Sequence, residues 1–272
     1  MSQLIPTIST AELEELKQAR EILENPGLAA QLANVVGAPM EYVLARRLPA
    51  SVTRLINTAT RKSLEQSLRV ATATLRRSEI HAPARTRTHT WMAAATGAAG
   101  GAFGLAGLAV ELPVTTTMIL RSIADIARSR GEDLDDPAAT LACFEVLTMG
   151  GRSASDDGAE SGYFAARAVV AQQVAAAAEY IAVPGVVNTS GPAIVQLLAA
   201  IGGRFSVTVS QKVAAQAVPV IGAISGATLN TLFMRHFQQM AQGHFAIRGL
   251  ERRHGAAAVR EAYDALAGPV AG

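Results

Sequence analysis

The stretch from Trp91 to Val110 reads WMAAATGAAGGAFGLAGLAV and carries no charge. It has about the 20 residues that a bilayer-crossing helix needs. It holds only two Leu and one Val, however, and is mostly Ala and Gly. Each glycine inside a helix costs about 1 kcal/mol relative to alanine, so several together require a packing reason. Gly97 with Gly101, and Gly100 with Gly104, stand four residues apart on a helix face. Small-xxx-small pairs of this kind let two helix backbones approach closely. Gly222 and Gly226 repeat the pattern. The expectation is an all-α fold, a compact multi-helix bundle with close-packed Gly-rich helical hairpins, packed internally or dipping into a lipid surface.

Working outward, the helix signals are frequent and the strand signals few. Ser9 or Thr10 can cap a first helix running to about Glu24, with acids in its first turn. Asn25-Pro26-Gly27 stops it, a second helix reaches Gly37-Ala38-Pro39, and a third covers roughly 43–47. His81 to Thr90 reads as a polar linker. Glu111-Leu112-Pro113 is expected to interrupt the Gly-rich run before a helix to Arg130. Asp135 or Asp136 caps the next helix, with Pro137 at its first position. RSASDDGAESG (152–162) reads as a loop, and Tyr163 to Ala182 as a helix. Pro192 opens a helix that should end at Ile201-Gly202-Gly203. A further helix covers about 205–217, and a long one runs from Ile221 to Arg253. A tail helix spans about Ala256 to Leu266. β-branched runs such as VPGVV and FSVTVS are short. The chain divides into an N-terminal helical segment (1–50), a main helical domain (51–255) and a C-terminal helix and tail (256–272).

Only 17% of residues are charged and 50% are hydrophobic, against roughly 25% charged in an average soluble domain. The basic residues are unevenly placed. Tyr42 to Arg87 contains ten Arg or Lys against two Glu, Glu65 and Glu79. On a helix from about Val52 to Arg77, Arg54, Arg61, Lys62, Arg69 and Arg76 share one face, while Val52, Ile56, Leu64, Leu68 and Leu75 share the other. A basic amphipathic helix reads as a membrane-surface or partner-binding element, or as the solvated face of a bundle helix. Interleaved aromatics are absent from this stretch, so no nucleic-acid partner is expected. The N-terminus shows neither a basic n-region nor a long apolar h-region. Cys143 stands alone, which excludes an intrachain disulfide and suits the cytoplasm.

No complete catalytic constellation is present, and no catalytic residue, cofactor or metal is assigned. H-E-x-x-H, G-x-S-x-G and Walker patterns are missing. Glu145 lies in an apolar stretch and must be paired or protonated if buried. Arg121, Arg167 and Arg204 are its candidate partners. Glu111 and Glu179 pose the same question. His236 and His244 share a face of the last long helix, with Arg248 one turn below His244. Glu251 and His254 form a single E-x-x-H pair, whereas a di-metal bundle uses two. Cys143 reads as an inert buried thiol.

Several segments in order resemble the EcsC family. They are Glu111-Leu112-Pro113, LACFEVLTMGG from Leu141, Ala217-Val218-Pro219-Val220-Ile221-Gly222-Ala223 through Asn230, and HFQQMAQGHFAIRGLERRHG at the end of the domain. Together they cover roughly 91–255. The resemblance implies a protein encoded beside an ABC transporter, without an agreed reaction; some members carry a peptidase label.

Two functional expectations follow. The first is a cytoplasmic, peripheral, non-enzymatic accessory protein that binds anionic membrane lipid or a membrane transporter. Arg54, Arg61, Lys62, Arg69 and Arg76 would meet headgroups, and Glu111, Glu145, Arg204, Asn230, His236, His244 and Arg248 would line an internal polar pocket. The second is a hydrolase or metal-dependent enzyme built on His236, His244, Glu251 and Glu145, which requires those groups to converge. Three uncharged stretches, 91–110, 180–203 and 213–234, are long enough to span a bilayer, but shallow or peripheral association is ranked above spanning.

Overall fold

The computed structural model describes residues 8–25, 27–36, 48–74, 81, 83–101, 104–149, 162–183, 191–216 and 224–266. Arg76, the helix expected at 43–47, the 152–162 loop and the breaks at Pro184 and Pro219 lie outside them or at their edge. Among the described residues there are ten α-helices and no strand. They are α1 (Thr10–Glu24), α2 (Leu28–Val36), α3 (Ala50–Thr74), α4 (Thr86–Gly101), α5 (Gly104–Ser129), α6 (Pro137–Glu145), α7 (Gly162–Ala182), α8 (Pro192–Gln216), α9 (Ile224–His254) and α10 (Ala256–Ala265).

The helix ends follow their sequence signals. Ser9 caps α1 through a reciprocal capping box with Glu12. Asp136 accepts from the Ala138 N–H with Pro137 beside it, and so starts α6. Gly131 adopts φ +82° after α5, and Gly255 adopts φ +87° between α9 and α10; both lie in the left-handed region that favours glycine.

Four sequence expectations change. Thr86 to Thr90 is helical, because Gln238 Nε2 donates to the Thr86 carbonyl (3.0 Å) and holds that turn against α9. Pro113 sits inside α5 rather than ending it. Its missing N–H leaves a carbonyl one turn back without a donor, and Thr117 Oγ1 in turn donates to the Pro113 carbonyl at 2.8 Å. Gly202-Gly203 does not stop α8, which runs unbroken through FSVTVS to Gln216. Burial of Phe205, Val209 and Val213 against the core overrides their β propensity. Glu179 is exposed and needs no partner.

Helix α9 is the axis of the bundle. Leu229, Phe233, Met234, Phe237, Met240, Phe245, Ile247 and Leu250 are all buried, and α1, α2, α4, α5, α8 and α10 pack around it. A helix with buried residues on nearly all sides belongs at the centre of a fold. Phe205, Phe233 and Phe237 form an aromatic cluster between α8 and α9, with centroids 5.1–6.1 Å apart.

The glycines explain how α4 and α1 reach that axis. A Cβ at Gly97 would lie 2.2 Å from the Gly226 carbonyl oxygen and 2.8 Å from Asn230. A Cβ at Gly243 would lie 2.8 Å from Leu23 and 3.1 Å from the Ala19 carbonyl. The Gly-rich stretch is therefore a helix-packing device, as its composition suggested. It is also divided: α4 ends at Gly101 and α5 begins at Gly104, and the two pack as a hairpin. The stretches 180–203 and 213–234 likewise straddle helix boundaries, so none of the three uncharged runs is one helix. By length and composition one described helix, α8, could cross a membrane, with mean hydropathy 1.5 and 39% of its apolar window buried in the bundle.

Candidate functional site

Helix α5 packs on α3 along one flank and on α4 along the other. The three form a layer that covers α8 and α9. Helix α3 turns Ile56, Ala59, Leu64 and Leu68 inward. Ser67 Oγ lies 3.1 Å from Thr117 Oγ1 on α5, and Leu64 meets α8 at Gly202. The apolar side of α3 is thus spent on the bundle, and only its polar side faces out. Arg54, Arg61, Lys62 and Arg69 are all exposed there. Glu65 lies within the same arc and accepts from Arg61 Nη1 at 3.3 Å, which lowers the net charge of the face.

The neighbouring α4–α5 hairpin exposes apolar side chains. Trp91 is 78% exposed and Val110 73%, with Met92 and Val114 also open to solvent. Between the two helices lies a groove of about 450 Å³ lined by Thr96, Ala99, Gly100, Gly107, Val110, Glu111 and Val114. Among the described lining residues, Glu111 is the charged one. Lys212 Nζ, 0% exposed on α8, donates to Glu111 Oε1 at 2.6 Å. Burial pushes the Lys212 ammonium below its usual range, and Glu111 works against that push. Phe233 lies 5.3 Å from Nζ. Lys212 is missing from the sequence-derived set, although it is the only charge in residues 205–234. That isolation was the available signal. Asn230 sits behind Gly97, fully buried, and neither amide atom has a hydrogen-bond partner among the described residues.

A second polar centre joins α6, α7 and α9. Arg167 Nη1 donates to Tyr163 Oη (3.2 Å), and Tyr163 Oη lies 3.1 Å from His244 Nδ1. His244 Nε2 stands 3.7 Å from Glu145 Oε2. Burial pushes the His244 imidazole well below its usual pKa, with Arg167 and Arg248 adding to the effect. Burial also raises the Glu145 carboxyl, against the pull of the same two arginines. Arg167 grips Glu251 through two bonds of 2.8 and 3.2 Å. Arg248 grips Glu132 likewise, at 2.9 and 3.1 Å, and Arg252 joins it.

The structure therefore brings Glu145, His244 and Arg248 together and adds Tyr163, Arg167 and Glu132. Of the expected partners of Glu145, Arg167 acts on it through its charge. Arg121 is exposed on α5, and Arg204 donates its Nε to the Thr148 carbonyl at 3.2 Å. His236 lies eight residues from His244, about 12 Å along the same helix. It bonds the Met149 backbone, and burial lowers its pKa to about 4. Glu251 is committed to Arg167, while His254 Nε2 pairs with Glu12 at 2.9 Å. The four groups of the enzyme reading thus do not converge on one point. Among the described residues no group of three or more His, Cys, Asp or Glu is placed to hold a metal ion.

No curated protein and no solved structure matches the chain. The model of the EcsC protein family matches residues 10–250, from the start of α1 almost to the end of α9, and the chain belongs to that family.

Proposed function

We propose that this protein is a non-enzymatic accessory protein that docks on anionic membrane surfaces through its α3–α5–α4 layer. The observation that carries the reading is the pairing, on one layer, of exposed cations with exposed apolar side chains. Arg54, Arg61, Lys62 and Arg69 line α3, while Trp91, Met92, Val110 and Val114 stand out from the adjoining hairpin. Each cation near an anionic surface contributes about 1 kcal/mol. The apolar side chains would add shallow insertion. Helix α3 itself does not insert, because its hydrophobic face is buried in the bundle. The reading keeps a membrane transporter as the partner on the strength of the family resemblance.

The test is vesicle flotation with neutral and anionic lipid at low and high salt. The wild-type chain should float with anionic vesicles and lose much of that binding in salt. The triple variant Arg54→Gln/Arg61→Gln/Lys62→Gln should lose about 3 kcal/mol, roughly 100-fold in affinity. Absence of wild-type flotation with either lipid would refute the proposal.

A further inference from the structure

The α4–α5 groove shares Val110 and Val114 with the proposed docking layer and adds a carboxylate, Glu111, that surface docking does not use. Its walls are Ala99, Gly100, Gly107, Val110 and Val114, so hydrocarbon and missing side chains set its width. Among the described lining residues, two carry polar side chains. Thr96 Oγ1 donates its proton to the Ala93 carbonyl at 3.0 Å. Glu111 divides its carboxylate: Oε1 accepts from Lys212, and Oε2 lies against Gly100, which lines the groove with it. A Cβ at Gly100 would fall 2.6 Å from that oxygen, so glycine there is what leaves room for the carboxylate. Lys212 is fully enclosed behind Glu111 and offers nothing to the groove.

We infer that the groove binds a single-chain lipid whose polar end carries a hydroxyl, a monoacylglycerol or a long-chain alcohol. The alkyl chain lies along the Ala, Gly and Val walls, and the hydroxyl donates to Glu111 Oε2. The charge arrangement selects this head. A fatty acid would bring a second carboxylate against Glu111 and leave that oxygen without a donor. An alkylammonium would add a third charge to a pair that is already balanced, which is costly where the surroundings are apolar. A neutral hydroxyl satisfies the acceptor and adds no charge. The groove volume lies within the ordinary range of small-molecule sites, about 300–1,000 Å³.

The experiment is isothermal titration of the full chain with monolaurin below its micelle concentration, with lauric acid and dodecylamine as comparisons at neutral pH. Monolaurin should bind once per chain, and lauric acid should bind at least about tenfold more weakly. Ala99→Trp and Val110→Trp fill the groove from its exposed rim, leave the core untouched, and should abolish binding without changing the melting temperature. The Arg54→Gln/Arg61→Gln/Lys62→Gln variant should bind monolaurin like wild type, so loss of vesicle docking and loss of groove binding are read separately. Equal binding of laurate and monolaurin, or binding that survives both tryptophan variants, would overturn the inference. So would no binding of monolaurin at all.

Discussion

Replacing Gly97 by alanine asks whether the Gly-rich stretch is held together as described. The new Cβ would meet the Gly226 carbonyl oxygen at 2.2 Å, and Asn230 at 2.8 Å. Contacts below 3.0 Å are essentially never seen, so α4 and α9 must part by roughly 0.8 Å at that point. The obstacle is backbone, which cannot rotate away as a side chain can. Overpacking typically costs about 1–3 kcal/mol, and a backbone contact belongs at the upper end. The better helix propensity of alanine returns about 1 kcal/mol, leaving a net loss of about 2 kcal/mol. Gly203 is the control. It sits mid-helix in α8, exposed, and a Cβ there meets nothing within 4 Å. Gly203→Ala should stabilise by about 0.5–1 kcal/mol. The two substitutions are chemically identical and should move stability in opposite directions. Urea denaturation followed by far-UV circular dichroism measures both. In melting temperature the first should drop by about 4–8 °C and the second rise by about 2 °C. If Gly97→Ala stabilises the protein as Gly203→Ala does, the close α4–α9 crossing is wrong.

Three further outcomes follow from buried polar groups. Lys212→Met strands Glu111 without its partner and should cost about 3–5 kcal/mol, while Lys212→Met/Glu111→Gln removes both charges and should recover much of it; chemical denaturation of both variants decides this. The His236 pKa is lowered from 6.5 to about 4, so between those values the unfolded chain binds the extra proton and stability falls as the pH drops. The shift corresponds to about 3 kcal/mol, His244 pushes the same way, Glu145 pushes the opposite way, and His236→Gln should flatten the slope of stability against pH in that window. Cys143 is enclosed and burial raises its thiol to about 12, so thiol reagents should label it only after denaturation, and rapid labelling of the native protein would contradict the packing of α6.

Legibility in the sequence depended on whether a signal was local. Ser9 with Glu12, Asp136 with Pro137, and the glycines at 131 and 255 act through neighbouring residues, and the helix ends could be placed from them. The segregation of Arg54, Arg61, Lys62 and Arg69 from Ile56, Leu64 and Leu68 needs only helical periodicity, and it survives in the fold. Breaks judged from single residues fared worse. Pro113 and Gly202-Gly203 are helix-weakening by propensity, but packing outweighed a cost of a few kcal/mol in each case. The 86–90 segment looks like linker until Gln238, some 150 residues later, donates to Thr86.

The chain by itself thus determined an all-α bundle, the amphipathic nature of α3 and the need for close helix contact at the Gly-rich stretch, because each is a matter of periodicity or side-chain volume. Only the tertiary structure decided which groups meet. Lys212 pairs with Glu111 across 101 residues, and His244 meets Tyr163 across 81. Only the fold could turn the hydrophobic side of α3 inward, leaving its cations and the α4–α5 groove at the surface. Contacts between helices depend on which faces the whole core can bury at once, and no single segment carries that information.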